Sequence, residues 1–221
     1  MSLSTAPAAV NRLLLHPAAK PAFFVLAGLP FAWLAFAALT DPSAHLGTNP
    51  AERLIRDTGE WALRFLCLAL AVTPLRHWTG WHAVARLRRL LGLYAFFYAS
   101  VHFLCYAWLD MGLELPDILK DIAKRPFILV GTAGLLLMLP LAVTSVDRAV
   151  RALGARRWKA LHRAVYAVAA LGLLHFFWMR AGKNDFADVG VYAAILAVLL
   201  GWRLWRARPG AGAATAARQG K

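Results

Sequence analysis

Acidic residues are scarce in this sequence. Eleven Asp and Glu stand against 25 Lys and Arg in 221 residues, and charged residues of both signs make up only 16% of the chain. A soluble domain carries about 25% charged and about 45–50% apolar residues. This chain is 60% hydrophobic, with a mean hydropathy of +0.54, which argues against a water-soluble globule. Cysteine is scarcer still. Cys67 and Cys105 both lie inside apolar runs, and there is no CxxC or CxxCH, so neither a zinc site nor a covalently attached c-type haem has a signal. Both read as small hydrophobes. GxGxxG is absent, no internal repeat is evident, and no room is left for a soluble nucleotide-binding domain. The formal charge of +14 would suit nucleic acid. No recognition motif accompanies it, however, and the basic residues sit in short segments between apolar runs, as membrane topology requires.

The apolar residues gather into six candidate spans: Ala22–Leu39, Trp61–Leu75, Leu90–Leu109, Pro126–Val146, Trp158–Met179 and Val189–Trp202. Crossing the hydrocarbon core takes about 20 helical residues, with a range of about 17–25. The third and fourth spans meet this without a charge; the second is short and carries Arg64. Pro30 and Pro140 lie within spans, where neighbouring helices can satisfy the freed carbonyls. Tryptophans 61, 108, 158, 178 and 202 are placed at span ends, as interfacial anchors are. The apolar stretch Ala22–Leu39 is longer than a signal-peptide core, so it reads as an anchored helix.

Orientation follows from the basic residues. The N-terminal segment, the loops 76–89 and 147–163 and the tail 203–221 hold 17 Lys and Arg with one acid, Asp147. The loops 40–60, 110–125 and 180–188 hold seven, with ten acids. The strict alternation fits an even number of spans, and the positive-inside rule places both ends in the cytoplasm. The expectation is an all-α integral membrane bundle of six transmembrane helices, N-in and C-in. Residues 1–21 would form a cytoplasmic segment, 22–205 the transmembrane domain and 206–221 a disordered cytoplasmic tail.

Of seven histidines, His16 and His45 lie in or beside exposed segments and His77 and His82 in a basic loop, whereas His102 and His175 lie deep in the third and fifth spans. Ionisable side chains inside a membrane are costly and mark function by default, the alternative being a packing histidine bonded to a neighbour. Both helices run in the same direction, and each histidine lies roughly 18–20 Å above the inner edge at 1.5 Å rise per residue, in the outer half of the bilayer. Two neutral imidazoles at one depth suit the axial positions of haem iron. Phe96, Phe97, Phe103, Phe176 and Phe177 could line an apolar cavity around it. His162 opens the fifth span about 20 Å lower. Thirteen residues before His175, it would sit about 140° around a continuous helix, so either the helix breaks near it or the two roles differ. Its alternative is an interfacial histidine in a basic loop.

The stretches RRLLGLYAFFYASVHFLCY (88–106), KRPFILVG (124–131), PLAVTS (140–145) and LGARRWKALHRAVYAVAALGLLHFFW (153–178) resemble the MsrQ (YedZ) family of haem-binding membrane subunits. That family lies within the ferric-reductase-like transmembrane group, with NADPH oxidases as distant relatives. The likeness covers about residues 20–205. It implies a bacterial inner-membrane electron-transfer subunit, not itself the catalytic subunit. Such a subunit takes electrons from the quinone pool or a cytosolic flavin reductase and passes them through haem b to a periplasmic molybdopterin partner, MsrP, which repairs oxidised methionine. FMN is a further cofactor the resemblance implies. Residue carry-over is limited to His102, His175 and His162, all as haem-iron ligands. NADPH oxidases place two histidines on each of two helices, whereas the position 14 before His102 is Arg88. A second haem would then need His77 or His82 opposite His162. Arg88 and Arg89 could instead hold a haem propionate or an FMN phosphate, or simply anchor topology. The alternatives are a stand-alone ferric or quinone reductase and a non-redox scaffold or transporter. The acidic loops 40–60 and 110–125 are candidate docking surfaces.

Overall fold

A computed structural model describes residues 5–208 except 183. Among the described residues the regular structure is entirely helical: α1 (Thr5–Leu15), α2 (Ala19–Thr40), α3 (Pro42–Leu46), α4 (Pro50–Thr79), α5 (Arg88–Cys105), α6 (Leu115–Lys124), α7 (Pro126–Val143), α8 (Asp147–His162), α9 (Val165–Ala181) and α10 (Ala187–Ala207). A 3₁₀ segment, His82–Leu87, leads into α5, and a π turn, Tyr106–Asp110, leaves it. Six helical stretches are long and apolar enough to cross a membrane, as expected: α2, α4, His82–Asp110, α7, α8 with α9, and α10. Of the tail expected at 206–221, residues 206 and 207 belong to α10, and 209–221 lie outside the described residues.

Several boundaries differ from the hydropathy reading. The second helix starts at Pro50, capped by the Asn49 side chain on the Glu52 N–H. Its 30 residues span about 45 Å at 1.5 Å each, against a hydrocarbon core of about 30 Å. Hydropathy missed the first turns because Glu52, Arg53, Arg56, Asp57 and Glu60 make them polar. Trp61 is therefore well inside α4 and not at its end; its ring lies tilted against Phe65 and beneath the Arg64 guanidinium. The fifth span is broken. Three-residue hydrogen bonds from Arg163 to Ala160 and from Ala164 to Leu161 tighten the chain between α8 and α9.

Hydrogen bonds sort the loops into two ends. At the basic end Arg86 donates to the carbonyls of Leu14 and Leu15, Arg89 pairs with Asp147, and Arg206 bonds His77. Asn11 bridges the Gly80 carbonyl and the Ala83 N–H, tying α1 to the turn after α4. At the opposite, acidic end Asp41 caps α3; the Ala44 N–H and the Ser43 hydroxyl hold its carboxyl below the usual carboxylate range. There too Tyr106 donates to Asp121, and Arg180 joins α4, α9 and α10 through Glu60, Asp185 and Asp188.

Within the bundle the prolines explain two cross-helix contacts. Pro74 has no N–H for the Leu70 carbonyl one turn back, and Arg203 of α10 supplies the missing donor at 2.5 Å. On α2, Tyr98 donates to the Ala27 carbonyl and accepts from the Phe31 N–H, both at 2.9 Å. Its hydroxyl enters the hydrogen-bond ladder beside Pro30. Tyr94 donates to the Phe24 carbonyl on the same helix. The two tyrosines of α5 thus peg a helix that is otherwise largely exposed.

Candidate cofactor site

Four helices, α4, α5, α7 and α9, enclose a cavity of about 490 Å³. Helical spacing selects its walls. Ala99, His102, Phe103 and Tyr106 come from α5 and the turn after it; Val168, Gly172, His175, Phe176 and Met179 come from α9. The two intramembrane histidines meet across it with ring centres 6.0 Å apart and planes at 78°. The depth match read from the two helices therefore becomes a contact.

Each imidazole is held the same way. His102 Nδ1 is 2.8 Å from the Ile55 carbonyl oxygen on α4, and His175 Nδ1 is 2.6 Å from the Phe127 carbonyl oxygen on α7. A carbonyl can only accept, so Nδ1 carries the proton in both rings and Nε2 keeps its lone pair. Four residues beyond each carbonyl stands a glycine. A Cβ at Gly59 would come within 3.0 Å of His102 Nδ1, and one at Gly131 within 2.7 Å of His175 Nδ1. Only hydrogen at these positions lets the ring reach a carbonyl whose helical N–H partner is that same glycine.

The arrangement is a repeat, although none was evident in the residues. Carbonyl and histidine are 47 residues apart in the first case and 48 in the second. In each, a helix from the acidic end carries carbonyl and glycine, and a helix returning toward that end carries the histidine. The pairs α4–α5 and α7–α9 are the two most extensive helix pairings in the structure.

This geometry fits haem. With each Nδ1 tied to a carbonyl, His102 and His175 would hold a haem iron through their free Nε2 lone pairs. Carbonyl-bonded Nδ1–H groups are the usual means of orienting imidazole ligands. The deep walls are apolar: Leu63, Leu66, Leu135, Met138 and Val168. Of the five phenylalanines expected there, Phe103 and Phe176 line the cavity. Phe96, Phe97 and Phe177 do not; the helical turn directs them elsewhere, Phe97 against Phe31 and Phe177 against Phe186. Phe127 was missed and lines the wall. The polar lining gathers toward the acidic end: Asn49, Glu52, Arg56, Glu60, Asp110, Arg125 and Arg180.

His162 is not on this wall. It ends α8, its ring stacks on Trp158 at 3.9 Å, and its Nδ1 is 3.1 Å from the Trp158 carbonyl oxygen. Its Nε2 is buried without a partner. The 140° phase expected for a continuous helix does not apply, because the chain breaks at 163–164. His77 packs against Trp202 and bonds Arg206, while His82 is exposed. Arg88 donates to Thr73 at 2.6 Å, and Arg89 pairs with Asp147 at 2.7 Å.

Residues 58–173 match the family described as ferric reductase like transmembrane component, a stretch holding Gly59, His102, Gly131 and His162 and ending just before His175. A Polaromonas naphthalenivorans protein named protein-methionine-sulfoxide reductase heme-binding subunit MsrQ is 60% identical over 195 residues, 88% of each chain. Proteins of the same name from Ralstonia nicotianae and Bordetella pertussis are 52% and 50% identical, covering 85% and 86% of this chain and 85% and 91% of their own. No solved structure matches.

Proposed function

This chain belongs to the MsrQ family of haem-binding subunits, and from that premise we propose that it is a transmembrane electron-transfer subunit holding b-type haem between His102 and His175. The observation that carries the reading is the pair of carbonyl-tethered imidazoles with ring centres 6.0 Å apart. Haem bound there would supply a one-electron carrier. The chain's own residues do the rest. The Ile55 and Phe127 carbonyls fix the tautomer, Gly59 and Gly131 make room for it, and the aliphatic walls keep water from the metal.

In this reading the basic end faces the cytoplasm of a bacterial inner membrane and the acidic end the periplasm. The histidine pair then lies nearer the periplasmic side, where an MsrP-type molybdopterin reductase would collect electrons. Electrons would enter from quinol or a cytosolic flavin reductase at the other side. His162 is the ligand proposed for a separate inner centre, supported by its buried, unpartnered Nε2. A phosphate of FMN at Arg88 and Arg89 would have to displace Thr73 and Asp147.

Absorption spectroscopy of the purified chain tests this. Reduced protein should show b-type Soret and alpha bands, and His102→Ala or His175→Ala should abolish the low-spin signal. His162→Ala should leave that signal and lower only the haem count per chain. Unchanged haem content and spectrum in both His102→Ala and His175→Ala would sink the ligand assignment.

A further inference from the structure

The basic end carries a charge that the chain's own acids do not neutralise. Of eleven acids, ten lie in the loops 40–60, 110–125 and 180–188 of the opposite end, and the eleventh, Asp147, pairs with Arg89. Where α4 and α10 finish beside each other, this leaves a group of guanidiniums with neutral partners only. Arg203 donates to the carbonyls of Leu199 and Leu70 and faces the Tyr166 ring at 5.8 Å. Arg206 bonds the His77 ring and lies over Trp202 at 5.5 Å. Arg76 is exposed and has no hydrogen-bond or ion-pair partner among the described residues. Arg88, which donates to Thr73, lies within repulsive reach of both Arg76 and Arg203.

Carbonyls, an imidazole and ring faces occupy donors but leave the positive charges uncompensated, and guanidiniums gathered together repel one another. An anion among them removes that cost, and the guanidinium fork suits phosphate oxygens. The surroundings say which anion. Trp78, Leu204 and Trp205 are 59%, 69% and 53% exposed, and Trp78 packs edge-on against Trp202. The cations are thus set among exposed tryptophan and leucine, at the ends of two spans. Tryptophan at that level belongs to the headgroup zone of a bilayer. A water-borne anion gains nothing from those apolar side chains, whereas an amphipathic one covers them with its own apolar part.

We propose that Arg76, Arg203 and Arg206 form a binding site for the phosphate of an anionic phospholipid, whose apolar part lies along Trp78, Leu204 and Trp205. Basic groups at span ends recognise acidic lipids in this way. The bound lipid lets α4 and α10 finish together without mutual repulsion, and it stabilises the folded bundle by mass action.

Full-length protein in dodecyl maltoside is titrated with phosphatidylglycerol, phosphatidylcholine, inorganic phosphate or polyglutamate, and thermal unfolding is followed. Half-maximal stabilisation should need about tenfold or more less phosphatidylglycerol than phosphatidylcholine. Arg76→Gln combined with Arg206→Gln should abolish that preference, and the corresponding double lysine variant should keep part of it. Arg203 is left in place because it also serves the Leu70 carbonyl. Arg156→Gln combined with Arg157→Gln removes the same charge from α8 at the same end and should keep the full preference. Equal loss in the two glutamine pairs would mean attraction to overall charge without a site, and overturns the proposal. Equal stabilisation of wild type by the two lipids overturns it too, and this comparison stands even where a variant does not fold. Inorganic phosphate or polyglutamate matching phosphatidylglycerol would assign the cluster to a free anion or an acidic protein, and overturns the lipid site.

Discussion

At the scale of single residues, the site rests on two hydrogen atoms as much as on two imidazoles. Gly131→Ala would push a methyl to 2.7 Å from His175 Nδ1, and Gly59→Ala to 3.0 Å from His102 Nδ1. Loss of an orienting contact costs about 10–100-fold in metal affinity. A pyridine haemochrome assay after dilution should therefore show haem retention falling in both variants, and further in Gly131→Ala. Gly28→Ala, whose methyl would meet only the Tyr94 hydroxyl at 3.4 Å, should retain haem like wild type. The histidines were legible in the sequence because an ionisable residue in an apolar run stands out. The glycines were not, since 16 are spread along the chain and nothing local marks two as contacts of a ring on another helix. Arg56 was hidden for a related reason: it was counted as loop charge when it belongs to the polar start of a long helix.

At the scale of elements, hydropathy found all six spans and misjudged where several end, because it registers apolar length and not hydrogen bonding. The caps at Asn49 and Asp41 are side-chain bonds to backbone N–H groups and the break after His162 is a change of backbone hydrogen bonding, and apolar length encodes neither. The Pro74–Arg203 contact makes a checkable case. Arg203→Met leaves the Leu70 carbonyl without a donor and should cost about 1–3 kcal/mol in an SDS-unfolding titration. In a Pro74→Ala background the helix supplies its own N–H, so the same substitution should cost clearly less. Equal costs in the two backgrounds would show that Arg203 acts otherwise. Tyr98→Phe removes the peg on α2 and should lower stability by about 1–2 kcal/mol in the same titration.

At the scale of the molecule, the proposed orientation predicts the outcome of reporter fusions. Alkaline phosphatase joined within 110–125 should be active and within 147–163 inactive; the reverse pattern would invert the bundle and with it the direction of electron flow. The charge alternation that motivates this was fully readable in the sequence. The internal repeat was not, because what repeats is a relation among a carbonyl, a missing side chain and an imidazole, and a carbonyl looks alike in every residue.

That repeat has a consequence for any tetrapyrrole seated between the two rings. The imidazoles are tethered identically from opposite walls, so they rate the two faces of the macrocycle alike. A porphyrin with unlike substituents on its left and right halves then has two seatings, related by a half-turn about the axis running between its carboxylates. Freshly reconstituted protein should hold both rotamers, visible as doubled methyl resonances in paramagnetic NMR. Their ratio after equilibration reports how far the remaining walls, and not the two imidazoles, distinguish one half of the socket from the other.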